Sequence, residues 1–282
     1  MRLVRYGDVG KEKPGILDAQ GGIRDVSGTV KDIDGTALSL EGLAKLRGLN
    51  VESLPKVSGS PRLGPPVANV AKLIAIGLNY SDHAKESNMP IPSEPVVFMK
   101  ATSAISGPND PVFLPKGSKK GDWEVELAFV IGRTARSVSE ADALDYVAGY
   151  LICNDVSERE WQLEHGSQWS KGKSFDTFAP LGPWVVTADE IRDPQNLAMW
   201  LDVNGQRKQT GNTNTMIFGV KKLVSYVSHF MTLVPGDIIS TGTPPGVGLG
   251  MKPPLFLKAG DSMRLSVEGL GEQRQTTRAW QP

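Results

Sequence analysis

The stretch Asp122–Gly132, DWEVELAFVIG, constrains this chain more than any other. Its apolar run, Leu127–Ile131, is rich in Val, Ile and Phe and reads as a buried strand. Two carboxylates, Glu124 and Glu126, stand at its head. Residues two apart on a strand project to the same face, so both acids enter one space. Two like charges that close need a counter-ion, or one of them keeps its proton. A divalent cation meets that need, because hard ions take carboxylate oxygens. The ordinary alternative is a polar strand end facing water. The long apolar continuation and the partners found elsewhere in the chain weigh against it.

The remaining composition narrows the class. A chain of 282 residues suits one large domain or two unequal ones. Its 31 basic and 31 acidic residues balance, which argues against nucleic acid or an anionic membrane as the main partner. Cys153 is the one cysteine, so no internal disulfide is possible and a reducing, cytoplasmic setting is expected. No apolar run approaches the ~20 residues of a membrane span, and MRLVRYGDVG has no signal-peptide core. With 31 Gly and 20 Pro, turns and short strands are expected rather than a helical bundle.

Residues 1–66 read as a small β-rich module. Arg2–Tyr6 alternates, GILDAQGGIRDVS reads as strand, Gly-Gly turn and strand, and Leu40–Arg47 as a short helix. The Ser/Gly/Pro-rich connector SGSPRLGPPV, residues 58–67, separates it from a second domain over 67–282. That domain opens with the buried strand Lys72–Ile76, followed by GLNYSDHAKE. Ser81 is a fitting N-cap and Asp82 a favourable first-turn residue. His83 and Glu86, three apart on a helix, can meet. A carboxylate that orients an imidazole and raises its basicity makes a general base, although such pairs are common on surfaces. The proline-rich SNMPIPSEP, 87–95, reads as a lid or loop. Lys100, after an apolar strand, reads as a snorkelling surface lysine.

A second apolar strand, Val147–Cys153, ends in Asn154-Asp155. Asp155 supplies the third carboxylate of a metal site, and three oxygen ligands with room for water suit Mg²⁺ or Mn²⁺. With 3 His and 1 Cys, a closed zinc site is not expected. A helix over Ser157–His165 carries Gln162. Gly166 ends it, and Lys171 and Lys173 follow in a glycine-rich loop, where a lysine near acids can bind an anion or an oxyanion. Asn204-Gly205 marks a hairpin, and Val220, Leu223, Val224, Val227 and Phe230 mark a core-packed helix. The turn after Asp237–Ser240, with Thr243, offers N–H groups and a hydroxyl to a carboxylate. Its Gly246-x-Gly248-x-Gly250 is not a dinucleotide fingerprint, since no helix is expected to start there. The C-terminal stretch reads as a β-meander.

Taken together, GLNYSDHAKE, SEPVVFMK, EVELAFVIG, CND, KGKSFDTFAPLGP, NTMIF and DIISTGTPPGVG resemble the fumarylacetoacetate hydrolase superfamily in content, order and spacing. The resemblance covers about residues 70–280. It implies an α+β fold, a mixed β-rich roll with a small N-terminal domain, and a homodimer. It implies Mg²⁺ or Mn²⁺ on Glu124, Glu126 and Asp155, a His83–Glu86 dyad on a segment that orders as a lid, and a catalytic Lys173. Gln162 and Thr243 fall where the superfamily contacts substrate. The implied reaction is hydrolysis of a carbon–carbon bond in a 2,4-dioxo acid to give pyruvate. Relatives also decarboxylate oxaloacetate, cleave ureidoglycolate or isomerise unsaturated diacids, all beginning from a small 2-oxo acid or its like on the metal. Many acylpyruvase-like relatives carry Arg where this chain has Leu78. That change favours an uncharged distal group, such as the polyol end of a 2,4-dioxo-3-deoxy sugar acid. A non-catalytic metal-binding protein on the same fold is the competing class, and it is disfavoured by the full set of acids, dyad and lysine.

Overall fold

A computed structural model of the chain describes residues 1–86 and 90–281. At its centre lies the strand Val125–Ile131, whose seven side chains are all buried. A strand covered on both faces must also have both edges paired. Val147–Asn154 pairs antiparallel along one edge and Ile238–Ser240 along the other. The sheet grows from there to ten strands. Beyond Val147–Asn154 come Ala179–Thr187, which Ile105–Ser106 also joins in parallel, then Arg2–Tyr6, Lys13–Leu17 and Ile23–Asp25. Beyond Ile238–Ser240 come Leu73–Gly77, joined in parallel, and Val96–Lys100.

A second, five-stranded sheet contains Ala198–Val203, Gln206–Asn212, Ser262–Val267, Gly271–Ala279 and Val112–Leu114. Its inward residues Met199, Leu201, Met263 and Leu265 share one core with Leu127, Phe129 and Leu151. The result is the mixed, β-rich α+β architecture expected. The hairpin turn at Asn204 and Gly205 has φ of 52° and 74°, the left-handed pair that a type I′ turn requires. The helices are few. Leu40–Arg47 and Val220–Phe230 stand where periodicity puts them.

The strands of residues 1–66 add to the large sheet through Arg2–Tyr6, which pairs with Ala179–Thr187. Three local expectations are corrected. The helix expected over Ser157–His165 spans only Arg159–Leu163. Ser157 and Glu158 are drawn instead into a two-stranded ladder with Gly121–Asp122. Lys171 and Lys173 lie not in a loop but on a short helical turn, Ser170–Lys173. Lys100 is not a surface residue: it is 1 % exposed. Within the expected lid segment 87–95, residues 87–89 lie outside the described residues.

Candidate active site

Strand register builds the acid cluster. Cys153 stands opposite Glu126 and Asn154 opposite Val125. One residue further on, the Asp155 N–H donates to the Glu124 carbonyl at 2.9 Å. Asp155 therefore emerges beside the two glutamates, although 29 to 31 residues separate them in the chain. Carboxylate oxygens of Glu124, Glu126 and Asp155 all lie within 4.8 Å of one another, and all three residues are buried. Ser240 Oγ and the Gly242 N–H donate to Glu126 Oε2 at 2.5 and 3.0 Å. No donor reaches its Oε1 among the described residues.

Three buried cations answer the acids. Lys173 Nζ donates to Glu124 Oε2 and Asp155 Oδ2, each at 2.7 Å. Its helical turn is seated against Arg159–Leu163 by Gly172, where a Cβ would lie 2.4 Å from Glu158 O and Gln162 N. Lys100 pairs with Asp155 Oδ1 and donates to Val156 O at 3.1 Å. Arg159 Nη2 meets Glu124 Oε1 at 2.6 Å, and its Nε meets Asp122 Oδ2 at 2.8 Å. Its Nη1 donates to Gln162 Oε1 at 2.9 Å, which turns the Gln162 amide so that its NH₂ is free to donate.

These neighbours split the two glutamates. Burial works to raise both carboxyls. At Glu124, Lys173 and Arg159 outweigh burial and hold the carboxyl down at about 2. At Glu126, burial is joined by the charges of Asp155 and Glu124, and the carboxyl is pushed well above its ordinary range. Burial and the same acids, Glu126 and Asp155, push the Cys153 thiol up as well.

The expected dyad forms. His83 Nδ1 lies 3.1 Å from Glu86 Oε2 on helix Ser81–Glu86. The helix is reached through a tight turn in which Leu78 adopts φ of 51°. Asn79 pins that turn, donating to Thr241 O at 2.8 Å and accepting from the Phe218 N–H at 2.8 Å. Glu86 also accepts from the Gly246 N–H, at 3.1 and 3.2 Å to its two oxygens. The glycine-rich turn does hold carboxylates, but they are the protein's own. Gly248 and Leu249 N–H groups donate to the two oxygens of Asp122, at 2.6 and 3.0 Å.

The three acids, Lys173, Arg159 and the dyad line one cavity of about 510 Å³, while Lys100 lies behind Asp155 and outside the lining. Gln162 and Thr243 line it too. The Thr243 hydroxyl already donates to Val125 O at 2.9 Å and accepts from Gln209 at 2.8 Å. The outer wall is largely apolar: Leu78, Leu163, Trp169, Leu249 and Met251, with the exposed Lys252 at the rim. Lys171 stays outside, its Nζ on His165 O. Lys100, Asp122 and Arg159 were not expected as site residues. Asp122 leads the acidic strand and Lys100 ends another, which was the only signal available. Nothing local marks Arg159.

The family model for the C-terminal domain of fumarylacetoacetate hydrolase matches residues 72–278. The chain belongs to the fumarylacetoacetate hydrolase family. A protein of Burkholderia lata, provisionally named a hydrolase, is 63 % identical over 279 residues, 99 % of each chain. Maleylpyruvate hydrolase from Sphingobium sp. SYK-6, solved in complex with manganese(II) and pyruvate, superposes with a TM-score of 0.84. It is 31 % identical and the match covers all of both chains. The 5-carboxymethyl-2-hydroxymuconate delta-isomerase from Mycobacterium smegmatis superposes with a TM-score of 0.78 at 32 % identity, over 99 % of this chain and 100 % of the other. The fumarylacetoacetate hydrolase fold thus carries hydrolases and isomerases among this chain's neighbours.

For this family member, a divalent metal fits the donor set. The three ligand atoms are oxygens, the type hard divalent cations take. Glu126 leaves Oε1 without a donor among the described residues, and burial with the charges of Asp155 and Glu124 pushes its carboxyl up, a strain that a further cation would relieve. Among the described residues no helix is long and apolar enough to cross a membrane.

Proposed function

We propose that this protein hydrolyses a carbon–carbon bond in a 2,4-dioxo acid of the acylpyruvate type, releasing pyruvate, with Mg²⁺ or Mn²⁺ held by Glu124, Glu126 and Asp155. The observation that carries this reading is that the three-carboxylate cluster and the His83–Glu86 dyad line one cavity. A divalent cation there supplies Lewis-acid polarisation of the 2-oxo acid. Glu86 holds His83 by Nδ1, leaving Nε2 to take a proton from water. The hydroxide attacks the distal ketone. Lys173, with one N–H left after its two carboxylates, and the NH₂ of Gln162 donate to the oxyanion that develops there. Cleavage frees a pyruvate carbon, and the proton held by His83 goes to it. Thr243 contributes a cavity wall, its hydroxyl being engaged.

Charge bears on the substrate. In the buried cluster Asp122, Glu124, Glu126 and Asp155 outnumber Lys100, Arg159 and Lys173 by one. A divalent ion reverses that excess, and a single substrate carboxylate then neutralises it. A second carboxylate would have only the solvent-exposed Lys252 at the rim to meet it, and Leu78 offers it nothing. With Leu163, Leu249 and Met251 beside it, the wall favours an alkyl or other uncharged acyl group over the polyol end of a 2,4-dioxo-3-deoxy sugar acid. The reading includes a cytoplasmic catabolic homodimer, with residues 1–66 as a small accessory domain and 67–282 as the catalytic one.

The test is pyruvate release by protein stripped of metal and reloaded with Mg²⁺ or Mn²⁺. Metal-dependent pyruvate from an acylpyruvate is the expected result. Pyruvate from oxaloacetate alone, glyoxylate from ureidoglycolate alone, or isomerisation of an unsaturated diacid alone would overturn it.

A further inference from the structure

Asp122 is wholly buried and touches neither the cavity nor the proposed metal position, yet it is the most heavily bonded carboxylate near them. Its Oδ1 accepts from the N–H groups of Trp123 and Gly248, at 2.8 and 2.6 Å. Its Oδ2 accepts from the Leu249 N–H and from Arg159 Nε, at 3.0 and 2.8 Å. Two arms leave this residue. One runs through Arg159 to Glu124 Oε1 and to Gln162 Oε1. The other runs through the loop Gly246–Leu249, whose Gly246 N–H holds Glu86 and hence His83. Trp123 strengthens the second arm, since its indole Nε1 donates to Gly246 O at 3.1 Å.

The loop can take this shape only because of its glycines. Gly246 has φ of 102°, and a Cβ there would lie 2.0 Å from Lys208 O. Helix Ser81–Glu86 is otherwise tied to the body at its N-terminal end, by Asn79 and by a 3.2 Å contact of Asp82 with Thr215. Among the described residues, the hydrogen bonds from its C-terminal end to the body are those between Glu86 and the loop.

We infer that Asp122 is a positioning residue that aligns both halves of the site, fixing metal-binding Glu124 through Arg159 and the His83–Glu86 dyad through the Gly246–Leu249 loop. An asparagine at 122 keeps the shape but puts an NH₂ where one oxygen accepts two bonds, so donor faces donor. Removing partners that orient metal ligands costs about 10- to 100-fold in metal affinity.

The test uses the full chain, Mn²⁺ titration by electron paramagnetic resonance, and amide hydrogen exchange of residues 81–86. Asp122→Asn should weaken Mn²⁺ binding by about 10- to 100-fold and speed exchange at 81–86 by about fivefold, the loss of roughly one hydrogen bond. Arg159→Lys should weaken Mn²⁺ binding with exchange at 81–86 unchanged. Trp123→Phe should speed that exchange with Mn²⁺ affinity unchanged. These two variants each break one arm and decide the matter even if Asp122→Asn does not fold. The inference is overturned if Asp122→Asn leaves either readout at the parent value. It is also overturned if the single-arm variants move both readouts together, as a general loosening would. Neither readout uses a substrate, so failure of the hydrolase reading leaves this test standing.

Discussion

The inner and outer ends of the cavity are built differently. The inner end hangs on paired strands: Glu124 and Glu126 share a strand face, and backbone register brings Asp155 beside them. A one-residue slip would turn every side chain of a buried strand the wrong way, so register there is strongly specified. The outer end hangs on a six-residue helix and a glycine-rich loop, joined by the contacts of one carboxylate, Glu86. The inner end holds charge in a set place; the outer end rests on fewer ties. Elements that open are drawn from the least stable parts of a fold, so comparing hydrogen exchange of helix Ser81–Glu86 with that of strand Val125–Ile131 measures whether the two ends differ in this way.

Perturbing the two ends should separate their roles. The largest effect is expected from Glu126→Ala at the inner end. It removes a ligand, so Mn²⁺ affinity and metal-dependent pyruvate release should both collapse, the latter by about 10³-fold or more. His83→Ala at the outer end should cut turnover by about 10²- to 10⁴-fold, the range of general base catalysis, while calorimetric Mn²⁺ affinity stays at the parent value, His83 being no part of the three-carboxylate cluster. Loss of Mn²⁺ binding in His83→Ala would erase the distinction between the ends.

Gly172→Ala tests how tightly the inner end is fitted. Its Cβ must displace the Gln162 or Glu158 backbone, so thermal unfolding should show a loss of about 1–3 kcal/mol, with turnover falling alongside because Lys173 moves. Leu78→Arg, on the outer wall, should leave metal binding alone and lower KM for dicarboxylic over monocarboxylic 2-oxo acids by about tenfold, as one added ion pair allows. The smallest effect is in pH. The hydrogen bond with His83, aided by Gly246 and opposed by burial, holds the Glu86 carboxyl below its ordinary value. A depressed carboxylate contributes fully above its unfolded value and loses that contribution as pH falls through the folded one. Protection of residues 81–86 against exchange should therefore be full from neutral pH down to the ordinary carboxylate range and fade progressively as pH falls through that range to below the folded value. In Glu86→Gln that acid step should vanish.

What was legible in the chain followed from periodicity. The E-x-E at the head of an apolar strand, the acid ending the next strand, and the i, i+3 dyad each carry a local signature, and each stands where expected. Lys100 and Arg159 do not. A lysine after an apolar strand is ordinarily exposed, and Lys100 is buried only because Asp155, 55 positions away, neutralises it. Arg159 faces Asp122 and Glu124 across 37 and 35 positions. The shortened helix Arg159–Leu163 has the same origin, since the ladder with Gly121–Asp122 claims Ser157 and Glu158. Propensity describes neighbours in sequence, and this site is assembled by neighbours in space.

Cys153 gives that assembly a chemical clock. It is the chain's sole thiol, fully buried opposite Glu126, and its surroundings keep it from ionising. Only the thiolate reacts with alkylating or disulfide reagents. A reagent can therefore mark Cys153 only when the packing around strand Val147–Asn154, paired with both Val125–Ile131 and Ala179–Thr187, opens, and that opening disturbs the strand that carries Asp155 to the cluster. The labelling rate of one unmodified residue counts how often the ground beneath the acid cluster opens.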